Sequence, residues 1–155
     1  MQSMTKKKWG DQRGMAAIEF ALVLPILIIL VFGIIEFSTI LYDKAMITNA
    51  SREGARVGIV YRDDPASALN HPGDTEIENT VNNYIQDHLI SLGAASSAAI
   101  TIDRGEDASG NPLDASGDPL TVTVTYAYHF LVLPNFITDL TGPINLSAVT
   151  IMRME

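Results

Sequence analysis

The stretch Arg13-Gly14-Met15-Ala16-Ala17-Ile18-Glu19-Phe20 holds the residues of this 155-residue chain best placed for chemistry. Gly14 stands directly before a long apolar run, where a backbone without a side chain is open to a protease working at a membrane face. Glu19, five positions on, puts a carboxylate where lipid-facing side chains are expected. On insertion scales an ionised acid near mid-membrane costs about 2.5 to 3.5 kcal/mol, so it calls for a partner. No basic side chain lies between Met15 and Tyr42. The plainer reading of Glu19 is an acid stabilised by the positive end of a helix dipole.

No catalytic constellation accompanies this junction. The chain has no Gly-x-Ser-x-Gly elbow, no His-Glu-x-x-His and no phosphate-cradling loop, and His71, His88 and His129 show no local pairing pattern. His129 alternates away from the apolar face of its strand and reads as a structural histidine. Asp63 and Asp64 are chain neighbours, and neighbours diverge by about 100° on a helix or point to opposite faces of a strand, so they make a poor acid/base pair. With no cysteine, a disulfide framework, a thiolate metal site, a cysteine nucleophile and a lipid-modified cysteine are all excluded. No catalytic residue, metal site or cofactor is expected, and the chain does not read as an enzyme.

The element that must position the junction is the apolar run itself. Phe20 to Ile35 is sixteen residues without a polar or charged side chain, broken only by Pro25 and Gly33. Extended back to Met15, it approaches the roughly 20 helical residues that cross a hydrocarbon core. Glu36 lies 17 residues beyond Glu19, about 26 Å along a helix, and reads as an acid at the far interface. Pro25 frees one backbone carbonyl and is read as a kink that a membrane helix tolerates. A removable secretory signal would need a small-residue site just after its apolar core, but Glu36-Phe37-Ser38-Thr39-Ile40-Leu41-Tyr42 follows. The segment therefore reads as a retained single span, about 15–36.

Charge sets its direction. Lys6, Lys7, Lys8 and Arg13 precede the run against Asp11 alone, and basic residues beside a span stay in the cytoplasm. Residues 15 to 155 carry six basic and seventeen acidic side chains, a net of −11, which repels phosphate backbones and anionic lipid and makes nucleic acid an unsuitable partner. The expected location is the cytoplasmic (inner) membrane, with the N-terminus inside and the acidic C-terminal domain outside.

The expected fold is α+β in three parts: a basic leader, 1–14; a long helix, 15–60, extracytoplasmic in its second half; and a small outer domain, 61–155. In the outer half of the helix Phe37, Ile40, Leu41, Ala45, Ile47 and Ile59 are expected to pack, with Asp43, Lys44, Arg52, Glu53 and Arg56 wet. Ala50, Gly54 and Gly58 share a face at four-residue spacing, where another backbone can approach closely. This chain's own sheet and another subunit both fit that face. Asp63-Asp64-Pro65 ends the helix. Thr75 with Glu78 forms a capping-box pattern that opens a second helix, with apolar face Ile77, Val81, Tyr84, Ile85, Leu89 and Leu92 against a sheet, and Gly93 placed to end it. Strands are expected at 99–103, 120–130 and 145–153, the last apolar on both faces and so a candidate central strand.

A near-perfect tandem repeat, Asp107-Ala108-Ser109-Gly110-Asn111-Pro112-Leu113 and then Asp114-Ala115-Ser116-Gly117-Asp118-Pro119-Leu120, lies between the first two strands. Its acids offer oxygen atoms to calcium, but their spacing is not that of an EF-hand loop, so a solvated turn region is the preferred reading.

A glycine, four small or apolar residues, Glu-Phe and an apolar helix together resemble the processing site of type IV pilin-like proteins. Gly14 to Pro25, then Phe32-Gly33-Ile34-Ile35-Glu36-Phe37, Leu41-Tyr42 and Asn49-Ala50-Ser51-Arg52-Glu53-Gly54-Ala55-Arg56 are similar, in order, to the TadE-like family of tight-adherence pilus proteins. The resemblance covers about Arg13 to Val60. It implies a minor pseudopilin with no cofactor, whose partners are a prepilin peptidase, other pilin-like subunits and pilus-assembly membrane proteins. It also implies cleavage between Gly14 and Met15, and pairing of Glu19 with the new Met15 amine of a neighbouring subunit or of its own chain. The rival reading is a membrane-anchored binding module for a cell-wall or surface ligand. An anchored hydrolase lacks supporting residues. The junction separates the first two, because a mere anchor needs neither Gly14 nor an acid within lipid.

Overall fold

The computed structural model describes residues 11–62, 71–86, 88–90, 98–130 and 142–155. It is an α+β fold: helix α1 (Asp11–Gly58), helix α2 (Asp74–Gln86) and strands β1 (Ala99–Asp103), β2 (Pro119–Tyr128) and β3 (Ile144–Arg153). The strands form one antiparallel sheet in the order β1-β2-β3, so β2 is central. The breakers Asp63-Asp64-Pro65, the face residue Leu92 and the proposed stop Gly93 lie outside the described residues.

Strict alternation explains β2. Leu120, Val122, Val124, Tyr126 and Tyr128 are buried, while Thr121, Thr123, Thr125 and Ala127 are half-buried on the other face. The expected order needs one correction. β3 is an edge strand, and its second apolar row, Val149 and Ile151, is open on the outer face of the sheet. Only the inward row, Leu146 and Ala148 with half-buried Met152, packs in the core.

α1 runs through Pro25 without a break and has two halves of different character. Side chains from Met15 to Ile35 are almost all exposed, because the other described elements pack only beyond them. Past that point the buried positions are Glu36, Asp43, Ile47, Ala50, Ser51, Gly54, Ala55 and Gly58, a stripe at helical spacing. This corrects the expected flank, since Phe37, Leu41 and Ala45 are exposed and Asp43 is fully buried. Size decides the choice. At Gly54 and Gly58, α2 and β2 come so close to the helix that a side chain would collide with them.

α2 is held across this stripe by Ile77, Val81 and Ile85, so its main seat is the helix α1 and not the sheet. Its cap also differs from expectation. The carbonyl of Gly73 accepts from the amides of Glu76 and Ile77, which makes Gly73 the capping residue and places Thr75 in the first turn. Asp74, which the helix dipole favours there, is engaged by Arg104.

These contacts orient the fold along α1. The Tyr128 end of β2 lies beside Glu36 and its Leu120 end beside Gly58, while Ser51 meets Thr150 of β3 at 2.7 Å. β2 therefore runs opposite to α1 and β3 runs with it.

Candidate functional site: the N-terminal helix and its seat in the outer domain

Gly14 lies three residues inside α1, exposed, with no atom within 4 Å of where a Cβ would stand. Nothing in this chain's packing requires glycine there, and glycine in a helix interior costs about 1 kcal/mol relative to alanine. One difference from expectation is that α1 begins at Asp11, ahead of Gly14, so the backbone at Gly14 is exposed but helical.

Glu19 is exposed among apolar side chains, and among the described residues no hydrogen bond or ion pair in this chain reaches its carboxylate. Met15 is also exposed, four residues and so about 6 Å along the axis away. The helix thus presents a bare glycine and an unpartnered acid on a surface that the rest of the fold leaves open.

Glu36 is not simply an interfacial acid in contact with water. It is 2% exposed, and the phenol of Tyr128 donates to its Oε1 at 2.6 Å. Two turns further on, Asp43 is fully buried, and the amide of Ile90 donates to its Oδ1 at 3.1 Å, while among the described residues Oδ2 has no hydrogen-bond partner. Burial raises the Asp43 carboxyl above its ordinary range, against the pull of that amide. Burial, then the hydrogen bond to Glu36, pushes the Tyr128 phenol well above its usual value. On the neighbouring flank the Lys44 ammonium donates to the carbonyl of Ser147 in edge strand β3. Together these contacts fasten the outer domain to the helix where the apolar run ends.

Ala50, Gly54 and Gly58 are filled from within. A Cβ on Gly54 would stand 2.4 Å from Val81 Cγ2, and one on Gly58 would stand 2.5 Å from Leu120 Cδ2 and 2.6 Å from Ile77 Cδ1. Of the two partners open to this face, the chain's own α2 and sheet occupy it.

A second polar cluster gave no local signal, because its hydrogen bonds join residues 30 to 84 positions apart. Arg104 is buried, with Nε donating to Asp74 at 2.9 Å, Nη2 to the carbonyl of Pro72 at 2.5 Å and Nη1 3.8 Å from Asp114. His71 is buried too, its Nδ1 2.7 Å from Asp114 and its Nε2 3.4 Å from the carbonyl of Glu155. The pair resembles a catalytic dyad, but among the described residues no nucleophile adjoins it, and the outer ring nitrogen meets main chain. It pins the repeat loop to the start of α2 and to the end of β3.

The repeat spends its other acids on its own turns. Asp107 accepts from the amides of Ser109 and Asn111, which hold its carboxyl below the ordinary range, and Asp118 accepts from the amide of Ala115. Gly110 and Gly117 take positive φ, as the turns require. Among the described residues no three metal-binding side chains gather. Beside Arg104 lies an open hollow of about 200 Å³ whose lining includes Asp74, Asp103 and Glu106. His88 and His129 are exposed, and neither joins this cluster.

Comparison with known proteins places the N-terminal helix in a group. Residues 14–56 match the family model described as TadE-like protein. No curated protein and no solved structure matches. The matched range begins at Gly14, includes Glu19, Glu36 and Asp43, and ends two residues before α1 does.

Proposed function

We propose that this chain, whose residues 14–56 form a TadE-like segment, is a minor pilin-like subunit of a tight-adherence pilus, a structural assembly component and not an enzyme. A prepilin peptidase cuts it between Gly14 and Met15, and its N-terminal helix holds it in the cytoplasmic membrane with the acidic domain outside. Other pilin-like subunits and pilus-assembly membrane proteins are its partners. The family match supports association with such a pilus, and the helix Gly14–Gly58 is long and apolar enough to cross a membrane.

The observation that carries the finer reading is the pair of features the fold does not use. Gly14 meets nothing, and Glu19 has no partner among the described residues. Cleavage after Gly14 would create a Met15 amine one turn from Glu19. Docking of that amine, from a neighbouring subunit, against Glu19 would settle both charges in a low-dielectric setting. A binding module needs neither feature, and the hollow beside Arg104 has its one buried cation already engaged.

Glu19→Gln tests this. The substitution keeps shape and removes charge, so insertion and cleavage should persist while pilus formation falls sharply. Normal piliation by a cleaved, stably expressed Glu19→Gln protein would overturn the docking role and favour the anchored module.

A further inference from the structure

We propose that the end of the outer domain beside Glu36 rests on the lipid surface, so that the domain meets the membrane directly as well as through its helix. The inference builds on the anchor reading and assigns this surface to a lipid interface, not to another protein.

Level is the first argument. The 21 residues from Met15 to Ile35 measure about 31 Å along a helix, matching a hydrocarbon core of about 30 Å. Glu36 follows at once, and Tyr128 is bonded to it. Tyr128 pairs with Ile144, so the adjoining ends of β2 and β3 stand at the same height as the end of the apolar run. No spacer separates the domain from the interface.

Surface chemistry is the second. Ile144 and Ile90 are exposed at this end, and Phe37, Leu41 and Tyr42 of α1 are exposed beside it, continuous with the apolar surface below. Charge is segregated along the same axis. At the near end Glu36 and Asp43 are buried, and, tyrosines aside, the titratable side chains not buried there among the described residues are Lys44, His88 and His129. Exposed acids such as Glu76, Asp103, Asp107 and Glu155 belong to the far end, where an anionic lipid surface cannot repel them closely. An apolar rim with outward cationic or neutral groups, and with its carboxyls turned inward, suits a headgroup layer.

Single-tryptophan quenching tests the proposal in the full chain. Trp9, the sole tryptophan, becomes phenylalanine, and one tryptophan is then introduced by Phe32→Trp, Ile144→Trp, Ile90→Trp or Ile151→Trp. Each protein is reconstituted in phosphatidylcholine vesicles brominated on the upper acyl chain. Quenching should be strong for Phe32→Trp and several-fold above the Ile151→Trp background for Ile144→Trp. Ile90→Trp should be intermediate, because Asp43 holds Ile90 about 10 Å further along the helix than Glu36. Quenching of Phe32→Trp, with Ile144→Trp no more quenched than Ile151→Trp, would overturn the lipid contact and leave the anchor standing. Absence of quenching in Phe32→Trp would overturn the anchor reading, and this inference with it.

Discussion

The phenol of Tyr128, last residue of the central strand, donates a 2.6 Å hydrogen bond to Glu36, the first residue beyond the apolar run of α1. The bond ties the sheet to the point where the helix leaves its open, lipid-compatible half. Tyr128→Phe removes the donor without changing shape, and loss of a buried bond to a carboxyl costs about 1–3 kcal/mol. The variant should unfold at lower denaturant concentration than the parent in detergent, with an unchanged denaturant slope. Unchanged stability would show that the contact is incidental.

Gly54 and Gly58 should respond unequally to alanine. At Gly54 the new methyl collides with Val81 Cγ2, a short β-branched side chain with little room to move, and overpacking costs about 1–3 kcal/mol. At Gly58 the colliding atoms are the far ends of Leu120 and Ile77, which can shift. Paired denaturation curves should place Gly54→Ala clearly below Gly58→Ala in stability. The reverse order would mean that α2 does not seat on this stripe as described.

Asp43 should mark the pH dependence of stability. Its folded-state pKa is raised, so the folded protein binds this proton more tightly than the unfolded chain does. The penalty is then fully present above the folded pKa and fades as pH falls to the ordinary value of 3.8 and below. Asp43→Asn keeps an acceptor for the Ile90 amide and removes the ionisation. Its melting temperature should exceed the parent's at pH 7, and the gap should narrow as pH is lowered through the carboxylate range. A gap that stays constant or widens on acidification would contradict the account.

Much of this was readable in the residues because periodicity reports burial. The alternation from Leu120 to Tyr128 marks a half-buried strand, and Ile77, Val81 and Ile85 mark the seat of α2. The junction stands out in the residues because Gly14 and Glu19 break the local rule for an apolar helix, which is why the proposal starts from them. The buried stripe of α1 was misjudged because hydrophobicity was taken as the guide to burial. There the close approach of α2 and β2 selects for size, so Gly54 and Gly58 are buried while Phe37 and Leu41 are not. β3 was misplaced because two apolar faces resemble a central strand, whereas its outer row is left open. The His71–Asp114–Arg104 cluster had no local pattern to find, since only the folded chain brings those residues together.

The central claim is that Gly14 is kept for a protease and that the working N-terminus is Met15. Protein recovered from membranes of cells carrying the pilus system should be examined by intact mass and N-terminal sequencing, alongside a variant with a bulky residue at Gly14. The parent should begin at Met15, and the variant should remain about 14 residues longer, because a side chain shields the backbone that the protease must approach. A parent protein that still begins at Met1, or one whose mass differs from the variant's only by the substituted side chain, would contradict the account.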